Sequence, residues 1–332
     1  MTAVTMDVER FASLAADVEA EVRRVIVGQG SLVRDVLACL FAEGHVLLEG
    51  VPGLGKTVLL RTLADALALD FARVQCTPDL MPADIVGTNV LSEGTGRTFQ
   101  PGPVFTQLLL ADEINRATPK TQSALLEAMA ERRVTVGGTT RDLPRPFFVM
   151  ATQNPIEMEG TYPLPEAQLD RFLAKVLVPL PGAADLVDIL ARTTGNALPQ
   201  IRQVATTEDL LATAQLIREV PMASHVTHHV VDLVQATHPE AARAPDAVRR
   251  YVRHGSSPRG AQALVLLAKA HALLDGRLHA GADDVRGAAY PCLRHRLVLG
   301  YEAMAESVDA DQIVGAVLDA VPIPAPPVKG AV

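Results

Sequence analysis

Residues 50–57 read Gly-Val-Pro-Gly-Leu-Gly-Lys-Thr, which fits the spacing G-x-x-x-x-G-K-[ST]. Glycines in such a loop let backbone N–H groups approach phosphate oxygens, and a helix that starts at its end adds positive potential. Gly50, Pro52, Gly53, Leu54 and Gly55 would form the cradle, with Val58 in the turn that follows. Lys56 would contact the β- and γ-phosphates of a nucleotide, and Thr57 would ligate Mg²⁺ through its hydroxyl. The context is the one the pattern requires. A short apolar run, 45–49, precedes the loop, and a helical stretch, 58–69, follows with Leu59, Leu60, Leu63 and Leu67 on one side.

A second candidate lies at 108–113, Leu-Leu-Leu-Ala-Asp-Glu, an apolar strand that ends in two carboxylates. Asp112 suits the Mg²⁺ shell, and Glu113 suits the orientation and polarisation of an attacking water. Alone, the stretch reads equally as a strand followed by a solvated acidic turn. Its place downstream of the Gly-rich loop favours the chemical reading. The third candidate is Asn154, at the end of the buried run 147–151. It could hydrogen-bond the γ-phosphate or the water, or simply open an Asn–Pro turn.

These groups need a scaffold. Short buried-strand candidates at 45–49, 72–76, 107–111, 147–151 and 174–178 alternate with helical stretches. Residues 10–43 are helical, with a break at Gly28-Gln29-Gly30. The alternation implies an α/β fold with a parallel sheet covered on both faces. Segments 87–105 and 132–143 interrupt it as two expected hairpin inserts around Gly-rich turns. After Pro179-Leu180-Pro181-Gly182 only helices are expected. Thr206 with Asp209 makes a capping-box start for one, and Ser257 with Pro258 starts another that Gly276 can end. The organisation is therefore an α/β domain over 1–181, a helical domain over 182–320 and a Pro-rich tail, 321–332, expected to be disordered.

The 332 residues suffice for two domains at roughly 150 residues each. With 48% apolar and 20% charged residues the chain is not a disordered one. Aromatics are only 4% and Trp is absent, so Leu, Val and Ala must build the cores. A net charge of −8 removes the simplest electrostatic route to nucleic acid. Cys39, Cys76 and Cys292 form no CxxC pair and read as reduced, buried thiols. The N-terminus lacks an apolar signal core, and no run of 18 apolar residues occurs, so a cytoplasmic protein with no membrane insertion is expected. His225, His228 and His229 cluster on one helix without a Cys or acidic ligand at zinc spacing, and no metal site is assigned to them.

The order of the loop, DEINR at 112–116, ATQNP at 151–155 and LPEAQLDRF at 164–172 resembles that of AAA+ ATPases. The wording from Asp112 onward, DEINRATPKTQSALLEAMAERRVTVGG, is very similar to the MoxR family, and the resemblance runs from about residue 20 to 320. It implies a P-loop AAA+ core, a parallel sheet sandwiched by helices, and a C-terminal α-helical lid domain. The two hairpins correspond to the helix-2 insert and pre-sensor-1 hairpin of the clade that also holds magnesium chelatase and the MCM helicases. The expected activity is Mg²⁺-dependent hydrolysis of ATP to ADP and phosphate, in a homo-oligomeric ring, usually a hexamer. Carried over by position, Asn154 is sensor 1, Arg171 the arginine finger and Arg259, in the stretch GSSPRG, sensor 2 in a lid closing over the nucleotide. Val27 and Gly28 resemble the segment that packs on adenine, although a plain helix break reads as well. Gln75 and Arg116 resemble positions near the γ-phosphate and the subunit boundary. Plainer readings stand beside these: a solvated lid arginine for Arg259, and an ion pair with Asp170 or Glu166 for Arg171.

The family resemblance points to chaperone-like remodelling of a protein partner, with a von Willebrand factor A domain protein as adaptor or client. The alternatives are the motor subunit of a metal chelatase and a DNA-stimulated AAA+ motor. Against the latter, the second hairpin's tip, Val136-Gly137-Gly138-Thr139, carries no Lys or aromatic. A GTPase is disfavoured by the lack of an NKxD motif.

Overall fold

A computed structural model describes residues 6–92, 96–155, 160–194 and 199–324. The chain opens with α1 (Val8–Arg23), capped by the Asp7 carboxylate, and α2 (Gly30–Phe41). Then come β1 (Val46–Glu49), α3 (Lys56–Leu67), β2 (Phe71–Gln75), α4 (Pro82–Val86) and a hairpin of β3 (Gly87–Ser92) and β4 (Gly96–Pro101). Next are β5 (Leu108–Asp112), a 3₁₀ turn (Ile114–Arg116), α5 (Pro119–Glu131) and a second hairpin, β6 (Arg133–Val136) with β7 (Thr139–Asp142). The α/β part ends with β8 (Phe148–Gln153), α6 (Glu166–Leu169) and β9 (Ala174–Leu177).

Five strands form one sheet in the order β2-β5-β8-β1-β9, and every pairing is parallel. The strand residues divide by parity between two cores. Val46, Leu48, Leu108, Leu110, Phe148 and Met150 face one, and Leu47, Leu109, Ala111, Val149 and Ala151 face the other. Helices α1 to α3 cover the first face, and α4 and α5 the second. Burial on both sides explains why these strands are continuous apolar runs rather than alternating ones. Each fully buried leucine contributes on the order of 2 kcal/mol. All five strand candidates and both hairpins are present. The hairpins also pack on each other: the Arg141 guanidinium lies 3.8 Å from the centre of the Phe99 ring.

The C-terminal part contains α7 (Ala183–Thr193), α8 (Thr207–Glu219), α9 (Ser224–Ala236), α10 (Asp246–Tyr251), β10 (Val252–His254), α11 (Pro258–Leu274), α12 (Ala282–Leu293), β11 (Val298–Leu299), α13 (Tyr301–Ala305) and α14 (Ala310–Ala320). The capping box at Thr206 and Asp209 and the Ser257 cap are both formed, and Gly276 follows α11 with φ +70°. Two expectations need correction. The lid is not purely helical, because β10 and β11 pair as a short antiparallel ribbon. Strands of three and two residues carry too little periodicity to read in sequence. Val321, placed above in a disordered tail, is 1% exposed and packs in the core at the end of α14. The remainder of that tail from 325 lies outside the described residues.

One apolar cluster runs from α1 and α2 through α8, α9, α11, α12 and α14. The N-terminal helices thus bond the sheet to the lid. Cys39, Cys76 and Cys292 are free and buried, as expected. Among the described residues no helix is long and apolar enough to cross a membrane.

Candidate nucleotide site

In-register pairing of Glu49 with Gln153 and of Gln75 with Asp112 brings the C-terminal ends of β1, β8, β2 and β5 together. Ligands of open α/β sheets bind at this edge. A cleft of about 410 Å³ opens there, lined by Gly50, Pro52, Gly53, Leu54, Gly55, Lys56, Thr57 and Val58 from the loop and α3. Arg73, Gln75, Asp112, Glu113, Thr152 and Asn154 close its other side. The sequence-predicted cradle, carboxylates and sensor asparagine are therefore in one place.

The loop fits a polyphosphate. Gly53 and Gly55 have φ of +83° and +77°, a region in which an L side chain is strained. Among the described residues, no heavy atom other than those of its chain neighbours stands within 4 Å of where a Cβ on Gly53 would be, so that side is open. Lys56 Nζ donates to the Gly50 carbonyl at 2.5 Å, folded across its own loop. Half-burial lowers its pKa, against the raising effect of Asp112, Glu113 and Glu49. Glu49 is itself engaged by Lys175 at 2.8 Å and by the Gln153 amide at 3.0 Å.

The carboxylates are held individually. Asp112 Oδ1 accepts from the Thr152 hydroxyl at 2.6 Å, and Oδ2 from Arg73 Nη2 at 2.6 Å. The same Thr152 oxygen accepts from the Glu113 N–H at 2.8 Å. Glu113 is left-handed, with φ +54°, which breaks β5 sharply and turns the carboxylate toward Gln75 Nε2 (3.1 Å) and Arg116 Nη1 (3.0 Å). Asn154 is 6% exposed, and its carbonyl lies 3.4 Å from Asn115 Nδ2 as acceptor. A hydroxyl at Thr57 and a carboxylate at Asp112, both hard oxygen donors, fit a Mg²⁺ ion beside the cradle. Thr152 and Arg73 were missed. A buried threonine inside an apolar strand and an arginine on the edge strand β2 carry no motif spacing of their own.

Val27 and Gly28 do not line this cleft. They follow Ile26, whose Cδ1 would be 4.0 Å from a Cβ on Gly55, so the segment borders the loop. Gly28 has φ +71°, and a Cβ there would come 2.3 Å from the Asp185 carboxylate, so α7 sits directly on it.

Arg171 and Arg259 are also absent from the cleft. Both line a second one, of about 280 Å³, with Arg132, Arg296, Glu43 and Asp170 among its walls. A lid closing Arg259 over the nucleotide of its own chain is not the arrangement found. The helices α2 and α8 pack together, α11 packs on α2 and α1, and this fixes α11 beside the segment carrying Arg171. Arg171 makes no ion pair with Asp170 or Glu166; Asp170 pairs with Arg296 at 2.7 Å. The Arg171 Nε is buried with no hydrogen-bond partner among the described residues. The basic run 294–296 is structural: Arg294 pairs with Asp311, and His295 Nε2 contacts the Phe172 carbonyl at 3.2 Å.

Comparison with known proteins agrees with this geometry. Residues 45–174 match the ATPase family associated with various cellular activities (AAA), and residues 245–317 match the AAA lid domain. The chain is 44% identical to the chaperone MoxR1 of Mycobacterium tuberculosis over 92% of its length and 81% of the relative. It is 34% identical to the protein MoxR of Paracoccus denitrificans over 93% of its length and 96% of the relative. The crystal structure of a Cytophaga hutchinsonii protein assigned as an ATPase superimposes with a TM-score of 0.90 at 39% identity, covering 96% of this chain and 97% of that one. The parallel sheet, the glycine-cradled cleft with its paired carboxylates, and these relatives together make the chain a member of the MoxR family of AAA+ ATPases.

Proposed function

We propose that the protein hydrolyses ATP to ADP and phosphate with Mg²⁺, as a homo-oligomeric ring, a hexamer by family analogy, that remodels a protein partner in the cytoplasm. The observation that carries this reading is the division of the site. The phosphate cradle and the carboxylates occupy one cleft, and the two arginines expected at the γ-phosphate occupy another. A complete site then needs the second cleft of a neighbouring copy.

In this reading Lys56 and the loop amides bind the phosphates, and Thr57 and Asp112 hold the metal. The bound ion supplies charge neutralisation on the phosphate oxygens. Thr152 fixes the Asp112 carboxylate, and Glu113 orients and polarises the attacking water with Asn154 beside it. The neighbour's Arg171, with Arg259 next to it, meets the charge that develops on the transferred phosphoryl group. Arginine fingers are worth about 10³–10⁵ in rate. Val27 and Gly28 border the loop and are the proposed contact for the base, which would have to displace the Asp185 carboxylate that lies against Gly28.

The test is complementation. Arg171→Ala subunits keep a working cleft, and Lys56→Ala subunits keep working arginines. Each alone should be almost inactive, and a mixture should regain part of the turnover. Mixtures that assemble yet stay inactive would remove the shared site. Glu113→Gln should bind ATP and hardly turn it over.

The net charge of −8 and the uncharged tip at 136–139 support a protein rather than a nucleic acid as the client. The name of the mycobacterial relative, a chaperone, supports remodelling. A von Willebrand factor A domain protein is the proposed adaptor, and the hairpins of β3–β4 and β6–β7 are its proposed contact. Glu113→Gln rings loaded with ATP should retain such a protein better than ADP rings or rings with shortened hairpins. Equal recovery from all three would remove the adaptor assignment.

A further inference from the structure

Asp170 directly precedes Arg171 and is held by the lid from two sides. Its Oδ1 accepts from Arg296 Nε at 2.7 Å, and its Oδ2 from the Ser257 hydroxyl at 2.7 Å. The Arg296 side chain is 2% exposed. It also donates to the carbonyls of Phe172 at 2.6 Å and Leu173 at 3.2 Å, and to that of Cys292. The backbone on the far side of Arg171 is therefore gripped by the same guanidinium.

Ser257 is the N-cap of α11, and its hydroxyl oxygen accepts from the Arg259 N–H at 3.1 Å. The first turn of α11 has no slack. A Cβ on Gly260 would come 1.9 Å from Ser256 Oγ and 3.0 Å from Arg296 Cδ. A short chemical route therefore joins the two arginines of the second cleft: from Arg171 along the backbone to Asp170, from its carboxylate to Ser257, and from that hydroxyl to the amide of Arg259. Arginine side chains carry high rotamer entropy, and their aim depends on how well their Cα atoms are fixed. The Asp170 side chain is itself 17% exposed, but with both oxygens engaged it is a rigid fixing point, because letting go would leave the nearly sealed Arg296 guanidinium without its counter-charge.

We propose that Asp170 is a positioning residue that sets Arg171 and Arg259 as one unit, so that a neighbour's nucleotide meets both at a constant spacing. The inference rests on the shared-site reading above. Asp170 touches no substrate in it and acts only through the two arginines.

The test is Asp170→Asn in the full chain, which keeps the shape but loses the charge pair. Affinity for a fluorescent ATP analogue should stay unchanged, since the first cleft is intact. The kcat should fall by about tenfold or more with little change in KM. Mixing with Lys56→Ala subunits, whose arginines are intact, should restore part of the turnover. In a background that lacks both arginines, Arg171→Ala with Arg259→Ala, Asp170→Asn should cost nothing further. Multiplying effects in that background, or no rescue by mixing, would overturn the inference. Wild-type turnover by Asp170→Asn beside an inactive Arg171→Ala would overturn the inference alone. Wild-type turnover by Arg171→Ala would overturn the shared site with it. If Asp170→Asn does not fold, Ser257→Ala in an Arg259→Ala background decides the same point: non-additivity supports the linkage and additivity overturns it.

Discussion

Acid should loosen this fold through His45, and the size of the effect follows from its surroundings. The ring lies just before β1, 5% exposed, between β8 and the end of α5. Its Nδ1 accepts from the Val149 N–H at 3.0 Å, so Nδ1 carries no proton, and Nε2 donates to the Met129 carbonyl at 3.1 Å. Burial above all holds its pKa down to about 4, and Arg132 adds to that. The Met129 carbonyl and Glu43 oppose the shift. In the unfolded chain the ring titrates near 6.5. The unfolded state therefore takes up the proton first, and stability is full above about pH 6.5 and declines as pH falls toward 4. Between pH 7 and pH 5 His45 alone removes about 2 kcal/mol. His295, buried, has its pKa shifted the same way and steepens the total. Urea unfolding followed by far-ultraviolet circular dichroism at pH 7, 6 and 5 measures this in the wild type and in His45→Asn. The variant loses the edge contact with Phe147, 5.7 Å between ring centres, and starts lower. Its decline across the same range should be shallower by about 2 kcal/mol. Parallel declines would refute the assignment.

Thr152→Val should leave Asp112 Oδ1 and the Glu113 N–H short of a partner, cost about 1–3 kcal/mol in thermal melts and raise the Mg²⁺ concentration needed for half-maximal turnover. Gly55→Ala puts a side chain at φ +77° and should cost about 1–2 kcal/mol of stability while abolishing ATP binding by calorimetry; normal affinity would mean that the loop is not the cradle. The Cys76 thiol is pushed up to about 12 by burial first and by Asp112 and Glu113 next, so it should resist iodoacetamide at pH 8 until denaturant is added, as mass spectrometry would read directly.

The parts of the fold that follow from local chemistry were legible in the sequence. Leu108, Leu109 and Leu110 form an unbroken apolar run because both faces of β5 are covered, and such a run marks a buried parallel strand. Lys56, Thr57, Asp112, Glu113 and Asn154 could be grouped because each closes a strand or opens a helix at one edge of that sheet. What depended on how distant elements meet was not legible. Arg259 sits beside Arg171 because α11 packs on α1 and α2, a relation that no spacing encodes. The same holds for Asp170, whose partners Ser257 and Arg296 lie far along the chain. Arg73 reaches Asp112 only because β2 pairs with β5 in the register that sets Gln75 opposite Asp112.

The strand order has a consequence for how the chain is made. β1 has β8 on one side and β9 on the other, with Val46 opposite Met150 and Ala174. Its first partner is therefore synthesised roughly a hundred residues after it. At about 5–20 residues per second, a ribosome leaves Val46-Leu47-Leu48 without a neighbouring strand for roughly 5–20 seconds. During that interval the segment before the Gly-rich loop at 50–55 is an unpaired apolar edge, and closing it needs a long-range contact that is intrinsically slow. Biogenesis, more than the stability of the finished molecule, is then the stage at which this chain is most exposed to aggregation. Substitutions that delay β8 from docking should lower the yield of soluble protein more than they lower its melting temperature.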